Sequence, residues 1–269
     1  VRELFIARRT DGARVGPAVP PSVDHPVLIA YSGGEDSTVL LWAARRVLGS
    51  ESVQAAWYDH ALRDDAERDA ELALVRHNCE TLGVTLWVGC HEEAVRATIF
   101  ASTKSREAAA RRLRYGFLYE CALRCTACCV LTAHHLDDNL ETILMGVLRG
   151  VAPASSSGIP RCTQLPMGMR RGLLINAVPV QPLESQDGPS EIQLYRPFLS
   201  VPKAELHETD HGLSYHQDST NESDEYLRNR IRHHVVPSLT RAVPDVAHRL
   251  KAFARHQHEL QSLMDERLT

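Results

Sequence analysis

The residue types best suited to bind a phosphate stand together in one short segment, Ser32-Gly33-Gly34-Glu35-Asp36-Ser37. Its glycines allow a tight turn and a close approach of the backbone to a ligand. The backbone amides of a helix that starts here would attract an anion, and the serine hydroxyls add donors. The carboxylate of Asp36 can hold Mg²⁺ against phosphate oxygens. Because the Walker lysine is absent, transfer of a γ-phosphate is not favoured.

A second group of reactive side chains follows a later apolar run, in the segment His134-His135-Leu136-Asp137-Asp138-Asn139-Leu140-Glu141-Thr142. On a helix, Asp138 and Glu141 share one face, and His135 stands close to Asp138 at the junction of strand and helix. Capping of the helix by Asp137 would explain the acids without catalysis. A zinc site lacks a sulfur or a third imidazole at a recognisable spacing. Two adjacent histidines and two adjacent aspartates after a strand favour a catalytic role.

Two further groups are less specific. Tyr58-Asp59-His60-Ala61-Leu62-Arg63 ends another apolar run, and in a parallel sheet that position borders the ligand crevice. The alternative is a helix start capped by Asp59 or Asp64.

Glu107, Arg111 and Arg114 are spaced four and three apart, so they share one face of a helix. That face can present guanidinium groups to a phosphate. It can equally be an exposed face covered with salt bridges.

The elements that must position these groups alternate between strand and helix. Short, continuously apolar strands separated by helices predict an α/β fold, a doubly wound parallel sheet covered on both faces. The predicted strands cover residues 27–31, 53–58, 84–88 and 128–133, and the predicted helices cover 36–48, 64–82, 105–124 and 137–149.

Three regions follow from this pattern: a lead-in segment over 1–26, a catalytic domain over 27–215 and a helical, Arg-rich region over 216–269. The polar stretch 152–158 predicts a flexible loop that is able to act as a lid. A helix to about residue 211 is expected to start with Ser200 as N-cap and Pro202 in its first turn. The region from about 223 is predicted to be helical, with interruptions at Pro237 and Pro244.

Composition excludes several classes of protein. Of the 269 residues 43% are hydrophobic and 24% are charged, as in globular proteins. No run reaches the roughly 18 apolar residues of a membrane span, and the first residues lack the features of a secretory signal. Seven unevenly spaced cysteines favour a reducing cytosol, hence a cytoplasmic protein. The net charge of −4 excludes a general polycation, although residues 226–255 carry seven Arg or Lys and one acid.

These segments resemble, in the same order, successive blocks of tRNA(Ile)-lysidine synthetase, an N-type ATP pyrophosphatase of the PP-loop superfamily. The resemblance spans roughly residues 27–240. Its blocks are 32–37, Asp59-His60-x-Leu62-Arg63, Glu107-x-x-x-Arg111-x-x-Arg114-Tyr115, His135-x-Asp137-Asp138-x-x-Glu141-Thr142, Arg149-Gly150, 196–199, 218–221 and Tyr226-x-Arg228-Asn229-x-x-Arg232-His233.

The resemblance implies an enzyme that uses ATP to adenylate the wobble cytidine of a CAU-anticodon tRNA(Ile). Free lysine then displaces AMP at C2 and gives lysidine, with pyrophosphate as the other product. It also implies a homodimer, and a further C-terminal tRNA-binding domain for which little room remains after residue 240.

The resemblance assigns roles residue by residue. Asp36 would hold Mg²⁺, and the catalytic set would be Asp36, Arg111, Arg114, His135 and Asp138. ATP would be bound by Ser32, Gly33, Gly34, Glu35, Asp36, Ser37, Asp59 and His60. The tRNA would be bound by Arg228, Arg230, Arg232 and His233.

Two alternatives remain open. A tRNA 2-thiocytidine synthetase holds an iron–sulfur cluster with cysteines, and Cys125-Thr126-Ala127-Cys128 is a C-x-x-C segment. Here the segment follows the Arg-rich helix and enters a strand, which favours buried, packing cysteines. The other alternative is a non-catalytic PP-loop protein that binds nucleotide and RNA. The presence of Asp36, His135, Asp137 and Asp138 argues against it.

Overall fold

The structure, a computed structural model, describes residues 17, 19–103, 105–150, 158–181, 191–217 and 227–268. The segment Asp218 to Asn221, Tyr226 and residues 152–157 of the predicted lid lie outside the described residues. Within the described residues, no helix is both long and apolar enough to cross a membrane.

A single eight-stranded sheet runs through the fold, and its central strands are parallel. Its strands are β1 (Val27–Ala30), β2 (Val53–Tyr58), β3 (Thr85–His91), β4 (Cys129–Leu131), β5 (Cys162–Gln164), β6 (Leu173–Ile175), β7 (Val178–Pro179) and β8 (Gln193–Tyr195). The strand order is β5-β8-β4-β1-β2-β3-β6-β7, with parallel pairing from β8 through β3. β5, β6 and β7 pair antiparallel at the two edges. The chain direction across the sheet reverses between β1 and β4, where α/β folds place their ligands.

Helices α1 (Glu35–Leu48), α2 (Asp65–Leu82), α3 (Glu93–Ser102) and α4 (Arg106–Arg124) flank this sheet. Later parts of the chain form α5 (Leu136–Leu148), α6 (Lys203–His207), α7 (Leu227–Arg230), α8 (Val236–Ala242) and α9 (Val246–Leu268). α4 packs against β2, β3 and β4, and its apolar side joins the main core cluster. The predicted α/β fold, a mostly parallel sheet with flanking helices, is confirmed.

Two predicted details of the later helices are wrong. The helix expected to start at Ser200 begins at Lys203 and ends at His207, with Pro202 at its N-cap position. The Ser200 hydroxyl instead accepts a hydrogen bond from Lys251 Nζ at 2.6 Å. Pro237 does not interrupt the helical path, because a π-helical turn over Ile231–Val235 precedes it and leaves it in the first turn of α8. In the first turn the missing N–H of proline costs little.

The chain forms two compact units. The first contains residues 1–133, 162–195 and 209–216, including the whole sheet, and the second contains 134–161, 196–208 and 217–269. The second unit therefore takes α5 and α6 from within the predicted catalytic domain of 27–215. The predicted domain boundaries stay a prediction.

A loop is packed directly onto the backbone of α4 in the first unit. Met169 N–H donates to Arg112 O at 3.0 Å, and an added Cβ on Gly116 would lie 1.7 Å from Met169 O. The buried His91 ring also contacts this loop, with Nε2 at 2.8 Å from Met169 O. Only a residue without a side chain fits at Gly116.

We expect Gly116→Ala to lower the free energy of unfolding by about 1–3 kcal/mol, the usual cost of overpacking. Alanine would gain about 1 kcal/mol of helix propensity over glycine, but the clash is with backbone atoms that cannot rotate away. Urea titration measures the loss. Ala110→Gly, at a half-buried position of the same helix, calibrates the propensity term. A stabilised Gly116→Ala protein would contradict this packing.

Candidate functional site

The glycine-rich segment forms a tight loop between β1 and α1 in the first unit. Gly33 has a positive φ of +78°, which favours glycine, and an added Cβ would meet Val75 Cγ2 at 3.0 Å. The Ser37 hydroxyl lies 3.0 Å from the Ser32 hydroxyl and donates to Gly34 O at 2.9 Å. The N-cap residue of α1 is Gly34, which has no side chain to cap the helix. The loop therefore presents the N-terminus of a 14-residue helix at the reversal point of the sheet.

A segment from far along the chain holds this loop in place. His216 N–H donates to Gly33 O at 2.8 Å and forms a parallel bridge with Gly34. The His216 Nε2 accepts a hydrogen bond from Arg63 Nη1 at 2.8 Å, and the same Nη1 donates to Glu71 Oε2 at 2.8 Å. The backbone shape of the loop thus depends on an ion pair and on residues 209–216.

Asp59, predicted to bind ATP, is engaged within the protein. Its carboxylate accepts hydrogen bonds from Ala61 N–H at 2.7 Å and from Arg68, whose Nε lies 3.0 Å from Oδ2. Ala61 has a φ of +49°, so the carboxylate stabilises a strained turn at the end of β2. Of the two aspartates predicted as caps of the next helix, Asp64 is the N-cap, and its side chain accepts from Glu67 N–H at 2.9 Å.

His60 and Arg114 are half-buried side chains that influence each other, and His60 Nδ1 and Arg114 Nε are themselves buried. Burial, followed by the positive charge of Arg114, lowers the pKa of His60 from 6.5 to about 3. Burial likewise lowers the pKa of the Arg114 guanidinium. Neither His60 Nδ1 nor Arg114 Nε has a hydrogen-bond partner among the described residues. A neutral imidazole beside a desolvated guanidinium is suited to receive an anionic group.

The depressed pKa of His60 predicts a stability loss in mild acid. The unfolded chain binds a proton at His60 more readily than the folded chain does, so this stability is present above about pH 6.5 and decreases as the pH falls below it. Urea titrations at pH 7 and pH 5 should show a smaller loss for His60→Gln than for the unsubstituted protein. His77→Gln removes an exposed histidine of α2 and serves as the control. An equal loss in the unsubstituted and His60→Gln proteins would contradict the assignment.

The predicted shared face of α4 is confirmed for its arginines. Arg111 is exposed, with its guanidinium carbon 4.7 Å from the centre of the Tyr115 ring, and that of Arg114 is 5.9 Å from the same ring. Glu107, one turn before Arg111, is exposed. Side-chain exposure on this face therefore decreases from Arg111, which is exposed, to Arg114, which is half-buried.

In the second unit, His135 is the N-cap of α5. Its Nδ1 accepts from Asp138 N–H at 3.3 Å, and Asp138 Oδ2 accepts from His135 N–H at 3.0 Å, which completes a reciprocal capping box. Asp137 is not the cap. Its carboxylate accepts from Lys203 N–H at 2.8 Å, and its Oδ2 lies 3.6 Å from His135 Nδ1, which is too far for a hydrogen bond.

Two arginines predicted to bind RNA contact the acids of α5. Arg228 donates from Nη2 to Asp138 at 2.8 Å and from Nε to Glu141 at 2.7 Å. Arg232 donates from Nε and Nη2 to the two oxygens of Glu141, at 2.6 and 3.0 Å. We call Asp138, Glu141, Arg228 and Arg232 the carboxylate–guanidinium cluster. Arg230, by contrast, is exposed, and His233 is half-buried.

Several residues of these sites carry no local signal in the sequence. Glu71, Arg68 and His216 hold the first unit's loops, yet His216 lies 153 residues from its partner Arg63. Arg232 lies 91 residues from Glu141. Within the described ranges, no group of three or more His, Cys, Asp or Glu side chains has the arrangement of a metal site.

Comparison with protein families matches residues 10–239 to the PP-loop domain. The chain is 32% identical over 251 residues to the tRNA(Ile)-lysidine synthase of Polaromonas naphthalenivorans, covering 93% of this chain and 67% of that protein. The chain thus belongs to the PP-loop proteins and, within them, to the tRNA(Ile)-lysidine synthase family.

Other relatives are considerably longer than this chain. The tRNA(Ile)-lysidine synthase of Bacillus subtilis is 30% identical over 253 residues, covering 90% of this chain and 47% of that protein. The one from Enterococcus faecalis is 30% identical over 246 residues, covering 90% and 46%. The chain spans about half the length of these two curated relatives.

A solved structure shares the fold. The U34-tRNA thiolase NcsA from Methanococcus maripaludis, with its [4Fe-4S] cluster, aligns with a TM-score of 0.66 over 96% of this chain and 78% of that one. At 13% identity this likeness concerns the fold alone.

Proposed function

We propose that this chain carries out the ATP-dependent formation of lysidine at the wobble cytidine of a CAU-anticodon tRNA(Ile). The observation that carries the proposal is the glycine-rich loop before α1, in which the Ser32 and Ser37 hydroxyls are hydrogen-bonded to each other. The loop exposes the N-terminus of α1, whose N-cap Gly34 offers no side-chain cap, between β1 and β4, where the chain direction across the sheet reverses. Such a site binds the pyrophosphate part of a nucleotide through backbone amides. The names of the relatives support tRNA(Ile) as the molecule modified.

In the first unit, we assign ATP binding to residues 32–37, Asp59 and His60, with Arg111 and Arg114 neutralising phosphate. Asp59 acts by holding the turn that presents His60, since its carboxylate is engaged by Arg68. Arg114 contributes a preorganised, desolvated charge, the kind of group that stabilises a developing negative charge.

Mg²⁺ fits the chemistry of the glycine loop. One carboxylate and two hydroxyls are hard oxygen ligands, and Mg²⁺ usually takes one or two carboxylates together with substrate phosphates. Asp36 would hold it, and when bound it would neutralise the charge of the leaving pyrophosphate.

In the second unit, we assign His135 and Asp138 to the adenylation step. With Nδ1 accepting from Asp138 N–H, the neutral ring carries its proton on Nε2, which lies 3.4 Å from Asp138 Oδ2. This arrangement is able to stabilise charge or to move a proton as the cytosine O2 attacks the α-phosphorus. Adenylation activates C2 for attack by the amine of free lysine, and AMP leaves.

The wobble base must leave the anticodon stack, which costs a few kcal/mol that RNA contacts offset. Of the four residues predicted to contact tRNA, Arg228, Arg230, Arg232 and His233, we keep this role as a prediction for Arg230 and His233, and cytoplasmic location and a homodimer also stay predictions. Among the four, Arg230 offers an exposed guanidinium to a phosphate.

Mass spectrometry tests the proposal. A CAU-anticodon tRNA(Ile) is incubated with the full-length protein, ATP, Mg²⁺ and lysine, and the anticodon fragment is analysed. We expect one added lysine at the wobble cytidine, dependent on both ATP and lysine. A native tRNA(Ile) that stays unmodified while the protein binds ATP would overturn the proposal.

A further inference from the structure

Arg228 and Arg232 both direct their guanidinium groups at acids of α5. The carboxylates are deeply placed, with side chains that are 14% exposed for Asp138 and 2% exposed for Glu141. The arginine side chains are about one third exposed, and their guanidinium groups point toward the carboxylates of Asp138 and Glu141. Guanidinium–carboxylate pairs with two parallel hydrogen bonds are strong and fix geometry.

Loss of either arginine would remove hydrogen bonds that the buried Glu141 carboxylate accepts. Among the described residues, the Glu141 carboxylate accepts three hydrogen bonds, which come from Arg228 and Arg232. A nearly buried acid without such partners moves or is destabilised, since breaking a buried pair is costly. An RNA phosphate that took these guanidinium groups would have to displace them from Glu141 first.

The cluster is continuous with the proposed catalytic pair. One oxygen of Asp138 accepts from Arg228, while the other accepts from the His135 N–H and lies 3.4 Å from the ring Nε2. The orientation of Asp138, and with it the setting of the His135 ring, therefore depends on Arg228. Arg232 contributes through Glu141 and lies 3.7 Å from Asp138 Oδ1.

We propose that Arg228 and Arg232 are positioning residues that orient Asp138 and His135 through the carboxylate–guanidinium cluster, and that they do not bind RNA phosphates. This inference rests on the proposed function for its kinetic consequences. Its structural consequence, the setting of the His135 ring, can be measured without turnover.

Arginine-to-lysine variants separate the two roles. A phosphate contact needs mainly charge, so Arg228→Lys and Arg232→Lys would keep tRNA affinity and kcat. A positioning role needs the planar fork, which lysine lacks, and we expect kcat at saturating tRNA to fall about 10- to 100-fold. Glutamine variants remove the charge, and we expect Arg228→Gln and Arg232→Gln to leave the dependence of tRNA affinity on salt unchanged, whereas each lost phosphate contact would lower that slope by about 1. Arg76→Ala, an exposed position of α2, is the control for loss of a surface charge.

A double-mutant cycle tests the route through Glu141. If Arg232 acts through Glu141, the Glu141→Gln/Arg232→Gln double variant should lose clearly less kcat than the two single losses combined, because the two changes break a shared interaction. Thermal unfolding of each variant separates misfolding from loss of positioning. Additive losses in kcat, or lysine variants with full kcat together with glutamine variants that bind tRNA more weakly, would overturn the proposal.

Nitrogen NMR of the His135 ring gives a measurement that does not depend on activity. The Nε2-protonated tautomer is expected in the unsubstituted protein, and Arg228→Lys should shift both ring nitrogens while Arg76→Ala does not. Unchanged His135 signals in Arg228→Lys would overturn the positioning role. A failure of the proposed function would appear separately, as an unmodified tRNA with the unsubstituted protein.

Discussion

Asp36→Asn is expected to lower ATP–pyrophosphate exchange, measured with tRNA(Ile), by at least about 100-fold, the scale of losing one preorganised electrostatic contact in an active site. Asp36 lies in the first turn of α1, directly after the glycine turn. Replacing its carboxylate by an amide keeps the shape and removes the negative charge that a magnesium–pyrophosphate complex requires.

Folding must be separated from chemistry in this experiment. An acid in the first turn of a helix interacts favourably with the helix dipole, by about 0.3–1 kcal/mol, so Asp36→Asn loses a little stability in any case. Asp65→Asn makes the same change in the first turn of α2, where the side chain is 93% exposed. We expect the two variants to unfold at similar temperatures, and only Asp36→Asn to lose exchange. Exchange within a few-fold of normal in Asp36→Asn would rule out the loop as the pyrophosphate site.

The sequence predicts the central part of the fold because its strands are continuous apolar runs with turn residues at both ends. β2 has the bounds that its apolar run predicts, and α1, α2 and α4 differ from prediction by one residue at their starts. The outer strands on both sides of the sheet are not among the predicted elements: β5, β6 and β8 have three residues each and β7 has two. Such short strands form through pairing with a neighbour, which local periodicity does not encode.

The candidate site also contains residues that local sequence predicts and residues whose contacts depend on distant parts of the chain. Residues whose role follows from neighbours in the chain, such as Gly33 at a positive φ, could be predicted from the glycine loop alone. Asp138 and His135 were predicted as a pair, and they form the capping box. The engagement of Arg228 and Arg232 by acids about 90 residues away could not be predicted, since local spacing says nothing about long-range ion pairs.

His135 combines a structural and a proposed chemical role, and two substitutions can separate them. The imidazole accepts a hydrogen bond from Asp138 N–H as the N-cap of α5. Asparagine is among the best N-cap residues and can accept the same hydrogen bond, while alanine cannot, at a cost of about 1 kcal/mol. His135→Asn therefore keeps the cap and removes only the ring that can stabilise charge or move a proton.

We expect His135→Asn to unfold near the temperature of the unsubstituted protein and yet to lower the single-turnover rate of cytidine adenylation about 100- to 10,000-fold, the usual range for a general acid–base group. His135→Ala should lose this rate together with some stability, and Asp64→Ala, which removes the cap of α2, should lose only the stability. Quenched-flow analysis of radiolabelled ATP with tRNA(Ile) measures the rate. If His135→Asn adenylates tRNA at the normal rate, the imidazole is a helix cap alone, and the proton must be handled by another group.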